Sequence, residues 1–239
     1  MSRSTSSAAL VAAVLASSAC AFEVIHGNGS VRNDERAVPG FTHVSFHANV
    51  AAEVITTGEP SVVLAADENL LGHLVVRVDD GELIIEVDDP AVALEPTAEM
   101  TVVITAATLV DLHATGSTSV KLDGWTGEEL ALRSSGAGSM NARGIDASLL
   151  YVESSGSGDV LVEGTTDRLS SSVSGAGDLV AADLGAGSVQ AELYGDGNTT
   201  VRTDGAVNGS LFGAGDLIIH GDPSRVDVDD HGSGAVNIR

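Results

Sequence analysis

The stretch GSGDVLVEGTTDRLSSSVSGAGDLV, residues 156–180, decides the fold. It opens on Gly156-Ser157-Gly158 and reaches the same mark again at Gly175-Ala176-Gly177. Between the marks, Val160 and Val162 alternate with Leu161 and Glu163, and Leu169, Ser171 and Val173 alternate with Ser170 and Ser172. A period of two is the signature of a strand with one buried face. Working outward, the mark returns at Gly136-Ala137-Gly138, Gly195-Asp196-Gly197, Gly213-Ala214-Gly215 and Gly232-Ser233-Gly234, with Gly116-Ser117-Thr118 as a degenerate first copy. Successive first glycines lie 20, 20, 19, 20, 18 and 19 residues apart, a regularity that signals stacked repeats.

Aligning the repeats on that glycine produces columns. Six residues before it stand Val110, Leu130, Leu150, Leu169, Val189, Val207 and Val226, all apolar. Two residues later come Leu112, Leu132, Val152, Ser171, Ala191, Gly209 and Val228; the polar column between them holds Asp111, Ala131, Tyr151, Ser170, Gln190, Asn208 and Asp227. After the glycine mark a second apolar column runs Val120, Met140, Val160, Leu179, Thr199, Leu217 and Val236. Gly124, Gly144, Gly164 and Gly221 mark another corner, with Asp183 and Thr203 in two repeats. Each rung thus reads as strand, Gly-x-Gly corner, strand, second corner and a variable connection. The prediction is an all-β fold: a right-handed parallel β-helix, or β-solenoid, over 106–239, its rungs about 4.8 Å apart. Glycine is expected at the corners for positive φ and for close backbone approach. Ser171, Gly209, Thr199 and Asp230 interrupt the apolar columns and mark the weakest rungs. An antiparallel meander with strands every ten residues is the competing reading, disfavoured because the columns repeat at 20.

Residues 22–105 carry strands without a fixed repeat and read as an N-terminal β region. Phe41 to Phe46 alternates, Asp79-Asp80-Gly81 is a hairpin signal, and Asp67 to His73 has room for one helical turn. Before that, residues 1–21 read as a signal peptide, with Arg3 as the positive start and Ala8 to Ala16 as a short apolar run. Ala19-Cys20-Ala21 fits cleavage after Ala21. Ser18-Ala19-Cys20 resembles the end of a lipobox, which would make Cys20 a lipidated N-terminus, although Ser17 stands where leucine is usual. Either way the chain, with Cys20 as its one cysteine, holds no internal disulfide.

A net charge of −23 with Lys121 as the sole lysine excludes nucleic acid as a partner and opposes docking on anionic lipid, so membrane contact would come only through an anchor at Cys20. Aromatics at 3% leave a core of Val, Leu, Ile and Ala, which suits narrow repetitive packing.

Several residues invite chemistry. Ser119, Ser139, Asp159, Asp178, Asn198 and Asp216 follow the glycine marks and would line one edge. Asp159 and Asp178 could share a Ca²⁺, but such a site needs six or more oxygens, and Asp or Asn at a turn ordinarily bonds backbone. The outward column His113, Arg133, Glu153, Ser172, Glu192, Ser210 and Asp229 offers Arg133 beside Glu153 as an ion pair, without a nucleophile, base and orienter. His43 and His47 lie too far apart along a strand for one metal. A nucleotide loop is excluded because no helix follows any Gly-x-Gly. No catalytic residue, cofactor or metal is expected.

The segments 27–36 (GNGSVRNDER), 38–42 (VPGFT) and 65–71 (AADENLL), with the Gly-Ser-Gly-Asp-Val and Gly-Ala-Gly-Asp-Leu repeats and Gly221-Asp222-Pro223, resemble the DUF2807 family, "putative auto-transporter adhesin, head GIN domain". The resemblance spans about 26–239 and implies a β-solenoid on an exported bacterial protein, often a lipoprotein, with no assigned activity and no catalytic residues to carry over. The expectation is therefore a cell-envelope or extracellular protein, adhesin-like, that binds a carbohydrate or an envelope protein. A structural envelope oligomer, such as a trimer packed through Leu161, Val180 and Ile218, is the alternative. A polysaccharide-active β-helix enzyme is a third reading, which sugar release lost on Glu153→Ala would support.

Overall fold

The computed structural model describes residues 23–239; the segment 1–21 expected to be a signal peptide, with Cys20, lies outside the described residues. Along the chain come β1 (Glu23–His26), β2 (Val31–Arg36), β3 (His43–His47), β4 (Ala51–Ile55) and β5 (Ser61–Asp67), then a single 3-10 turn, Leu71–His73. They are followed by β6 (Leu74–Asp79), β7 (Glu82–Val87), β8 (Val92–Glu95) and β9 (Thr101–Thr105). The repeats supply β10 (Asp111–Gly116), β11 (Ser119–Gly136), β12 (Met140–Ser154), β13 (Val160–Val173) and β14 (Leu179–Leu193). The last strands are β15 (Thr199–Thr203), β16 (Ala206–Leu211), β17 (Leu217–His220), β18 (Arg225–Asp230) and β19 (Val236–Ile238).

From β10 onward the pairing is parallel, and the columns read from sequence are the register. On the first wall Asp111 pairs with Ala131, Ala131 with Tyr151, Tyr151 with Ser170, Ser170 with Gln190, Gln190 with Asn208 and Asn208 with Asp227. On the second wall Val120, Met140, Val160, Leu179, Thr199, Leu217 and Val236 stack in turn. That excludes the meander. Stacking is what buries each rung's inward face: Leu130, Leu150, Leu169, Val189 and Val207 are all inaccessible to solvent or nearly so.

The expected variable connection is a third strand segment in the central rungs. Trp125 pairs with Ile145, Ile145 with Gly164 and Gly164 with Leu184, and β11 to β14 run on through the corner. Trp125, Ile145 and Leu184 point inward, and the Trp125 indole Nε1 donates to the Leu109 carbonyl at 2.9 Å.

The Gly-x-Gly corners also differ in one respect from expectation. Positive φ is found at Gly116 and at the second corners Gly124, Gly144, Gly164 and Gly221, and not at Gly136, Gly156, Gly175 or their equivalents. What these marks require is close approach. The Gly136 carbonyl accepts from both Ser157 N–H (2.9 Å) and Gly158 N–H (3.1 Å) of the next rung, and the same pair of bonds recurs at each mark. A Cβ on Gly156 would collide with that Gly136 carbonyl.

The stack takes in more of the chain than the marks reveal. β3 lies between β10 and β7, with His43 facing Asp111 on one side and Glu82 on the other, and β4 lies between β11 and β9. Two further layers therefore sit beneath the first marked rung. Their join is made by side chains, which explains the degenerate Gly116-Ser117-Thr118: Thr118 Oγ1 donates to the Ala48 carbonyl (2.5 Å), and Ser117 N–H donates to Asn49 Oδ1 (3.1 Å).

Antiparallel strands close this end. β5 pairs with β2 and β9, and β6 forms a hairpin with β7 through Asp80 (φ 46) and Gly81 (φ 82), the two left-handed residues that an Asp-Gly turn calls for. The segments 27–36 and 65–71 meet here. Asp67 is fully buried and accepts from Gly29 N–H (2.7 Å), Thr97 N–H (2.8 Å) and the Thr97 hydroxyl (2.7 Å). Asn28 N–H donates to Asn69 Oδ1 at 2.9 Å. These segments thus form a clasp over the end of the core.

Candidate functional site

The outward face of the first wall is a grid. Its three columns are the one beginning at Asp111, the one beginning at His113, and a third made by Thr115, Ser135, Ser155, Ser174, Tyr194, Phe212 and His231. In one rung all three outward positions are serine: Ser170, Ser172 and Ser174. The rung before it carries Tyr151, Glu153 and Ser155, and the rung after it Gln190, Glu192 and Tyr194. Ala131, Ser170 and Ser172 are low points among larger side chains, and a slot crosses the rungs there.

The depression there has a volume of about 490 Å³ and runs across the rungs, from His43 and Asp111 through Ala131, Tyr151 and Ser170 to Gln190, with Arg133, Glu153, Ser172 and Glu192 beside them. A second depression of about 400 Å³ shares Tyr151, Ser170 and Gln190 and continues round the corner to Arg168 and Ser188. Tyr151 is 40% exposed. Among the described residues the hydroxyls of Ser170, Ser172 and Ser174 bond to no protein group.

The predicted pair of Arg133 and Glu153 stands at the edge of this slot. Arg133 Nε donates to Asp111 Oδ2 at 2.9 Å, while its Nη1 reaches Glu153 Oε2 only at 3.7 Å, so Asp111 is the stronger partner. Across the slot Glu192 accepts from the Tyr194 hydroxyl (3.0 Å). That hydrogen bond, ahead of burial, holds the phenol above its ordinary pKa.

The other candidates are placed as follows. Asp159 Oδ1 accepts from Asp178 N–H (2.9 Å), Asp178 Oδ1 from Asn198 N–H (2.7 Å), Asn198 Oδ1 from Asp216 N–H (2.9 Å) and Asp216 Oδ1 from Ala235 N–H (2.9 Å). Each side chain in this ladder is committed to the next rung's backbone. Among the described residues no three His, Cys, Asp or Glu side chains converge as metal ligands. His43 engages Thr42 Oγ1 (2.9 Å), whereas His47 sits edge-on to His113 with ring centres 6.3 Å apart. Leu161, Val180 and Ile218 lie half-buried on the outward side of the second wall, with Thr200 interposed between Val180 and Ile218.

Sequence reading missed the stacked rings at the far end of the third column. Tyr194 and Phe212 are parallel with centres 5.3 Å apart, and Phe212 stacks on His231 at 5.1 Å. Extending the column alignment by one position, to the residue before each glycine mark, would have found them. The slot itself follows from reading two neighbouring columns together.

The family model for "putative auto-transporter adhesin, head GIN domain" matches residues 40–223. The chain belongs to the DUF2807 family. Solved structures share the fold. A "putative adhesin" from Bacteroides fragilis superposes with a TM-score of 0.85 at 22% identity, covering 90% of this chain and 100% of that one. A "putative lipid binding protein" from Parabacteroides distasonis gives 0.77 at 23%, covering 91% and 100%. A "putative adhesin" from Parabacteroides merdae gives 0.66 at 16%, covering 90% and 99%. No curated protein matches this DUF2807 chain. At these identities the likeness establishes the solenoid alone. Among the described residues no helix is long and apolar enough to cross a membrane.

Proposed function

We propose that the protein is an exported cell-envelope component, adhesin-like and non-enzymatic, which engages a carbohydrate or an envelope protein through the slot on its first wall. The observation that carries this reading is the depression of about 490 Å³ that crosses the rungs of the first wall past Tyr151, Ser170 and Gln190. The leader pattern over 1–21 supports export, and Cys20 would supply a lipid anchor where Ser18-Ala19-Cys20 is processed. Arg133, held between Asp111 and Glu153, reads as a structural ion pair rather than part of a catalytic set. An acyl chain, the ligand class suggested by the Parabacteroides distasonis relative's description, would meet a hydroxylated floor, so the slot favours a polar partner. Purified protein tested on glycan and envelope-protein arrays should retain at least one class of partner. Retention of none would end this reading.

A second reading rests on a separate observation. Leu161, Val180 and Ile218 form a half-exposed apolar stripe on the second wall, suited to packing between copies, for example in a trimer. Light scattering should then show a mass that rises with concentration and falls to the monomer value for Val180→Asp. A monomer at every concentration would reject it.

A further inference from the structure

We infer that the slot takes a neutral, unbranched, hydroxyl-rich glycan laid across the rungs, an assignment that rests on the first wall being a binding face. The depression's long axis crosses the rungs, so a chain seated in it lies roughly perpendicular to the strands. From Asp111 to Gln190 the depression crosses four rung spacings, about 19 Å, roughly four sugar units.

The chemistry of the lining favours sugar hydroxyls. The serine hydroxyls both donate and accept, the Gln190 amide does both through separate atoms, and the Glu153 and Glu192 carboxylates only accept. A ligand rich in groups that donate and accept from one atom satisfies all of them. Tyr151 offers an exposed ring for the apolar face of a sugar.

Charge separates this ligand from an acidic rival. Asp111, Glu129, Glu153 and Glu192 outnumber Arg133 in the larger depression, so the lining turns a polyanion away and leaves a polycation as the rival that the titration must exclude. The net charge of −23 further disfavours acidic glycans. An extended peptide is disfavoured for another reason. Strand addition needs unpaired backbone, and the Ser170 rung is already paired on both sides, to Tyr151 and to Gln190.

The test is calorimetric titration of the purified protein with linear cello-, malto- and manno-oligosaccharides of one to six units, beside oligogalacturonate and oligolysine. One neutral series should bind, with affinity rising to roughly four units and then levelling, as the slot length requires. Tyr151→Ala should weaken binding by at least about tenfold, and Ser172→Phe, which fills the slot, should remove it. Asn141→Ala on the second wall should leave it unchanged, with circular dichroism confirming the fold of each variant. Tyr151→Ala keeps the test decisive if Ser172→Phe does not fold. Preference for oligolysine or oligogalacturonate would overturn the assignment. Neutral-glycan binding indifferent to both slot variants would overturn the slot while leaving a binding function intact. Retention of nothing on the arrays or in the titrations would overturn both.

Discussion

At Asp67 a buried carboxylate is kept by its neighbours rather than by solvent. The Thr97 backbone N–H, more than any other group, holds its pKa below the usual carboxylate range, with the Thr97 hydroxyl and Gly29 N–H assisting against the opposing effect of burial. A depressed folded-state pKa means that the clasp's contribution is complete above the ordinary carboxylate pKa and is lost as pH falls through the lowered value. Asp67→Asn should unfold at lower urea concentration at pH 7, and its stability should fall less than wild type's on acidification. Equal acid sensitivity in the two proteins would refute this. Glycines offer a second residue-level contrast. Gly156→Ala forces a methyl onto the Gly136 carbonyl and should cost about 3 kcal/mol or more. Gly144→Ala meets only strain at φ 63 and should cost roughly 1–2 kcal/mol in urea melts. The glycine marks were legible as corners, but their reason was not, since close approach and positive φ select the same residue. Asp67 was illegible because its partners at Gly29 and Thr97 lie 38 and 30 residues away.

Among the elements, β15 is the flawed member of the second wall. The Thr199 hydroxyl faces inward between Leu179 and Leu217, buried and, among the described residues, without a partner. Thr199→Val keeps the shape and removes the unpaired group, so it should raise stability by about 1 kcal/mol in urea unfolding. The sequence columns had already singled out this position as an interruption. They concealed the third strand segment, because Trp125, Ile145, Gly164 and Leu184 share no size or polarity that marks a column. Half of the slot was visible as Ser170 and Ser172 in separate columns. Its concavity depends on what stands one rung either side, which a column-by-column reading averages away. β3 and β4 escaped as stack members because Ala48 and Asn49 replace the glycine mark, the Ala48 carbonyl accepting from the Thr118 hydroxyl and Asn49 Oδ1 from Ser117 N–H.

For the whole molecule, the charge of −23 on a narrow prism is a self-repulsion that every layer shares. Raising ionic strength from about 0.01 M to 0.15 M shortens the screening length from roughly 30 Å to 8 Å, less than two rung spacings. The thermal midpoint should therefore rise with sodium chloride over that range, and a flat or falling midpoint would show that the exposed ion pairs outweigh the repulsion.

The order in which the chain visits its layers departs from the order in which they stack, and this gives the molecule a mechanical polarity. β18 and β19 have a neighbouring layer on one side only among the described residues, so tension from that side peels them first, and β16 with β17 next. Each layer would pay out about 20 residues, roughly 65–70 Å of slack, in a sawtooth of even steps. Tension from the Glu23 side meets β3 and β4, which cannot leave without shearing ladders above and below at once. A molecule tethered near Cys20 would stretch at its outer end while its base stayed locked.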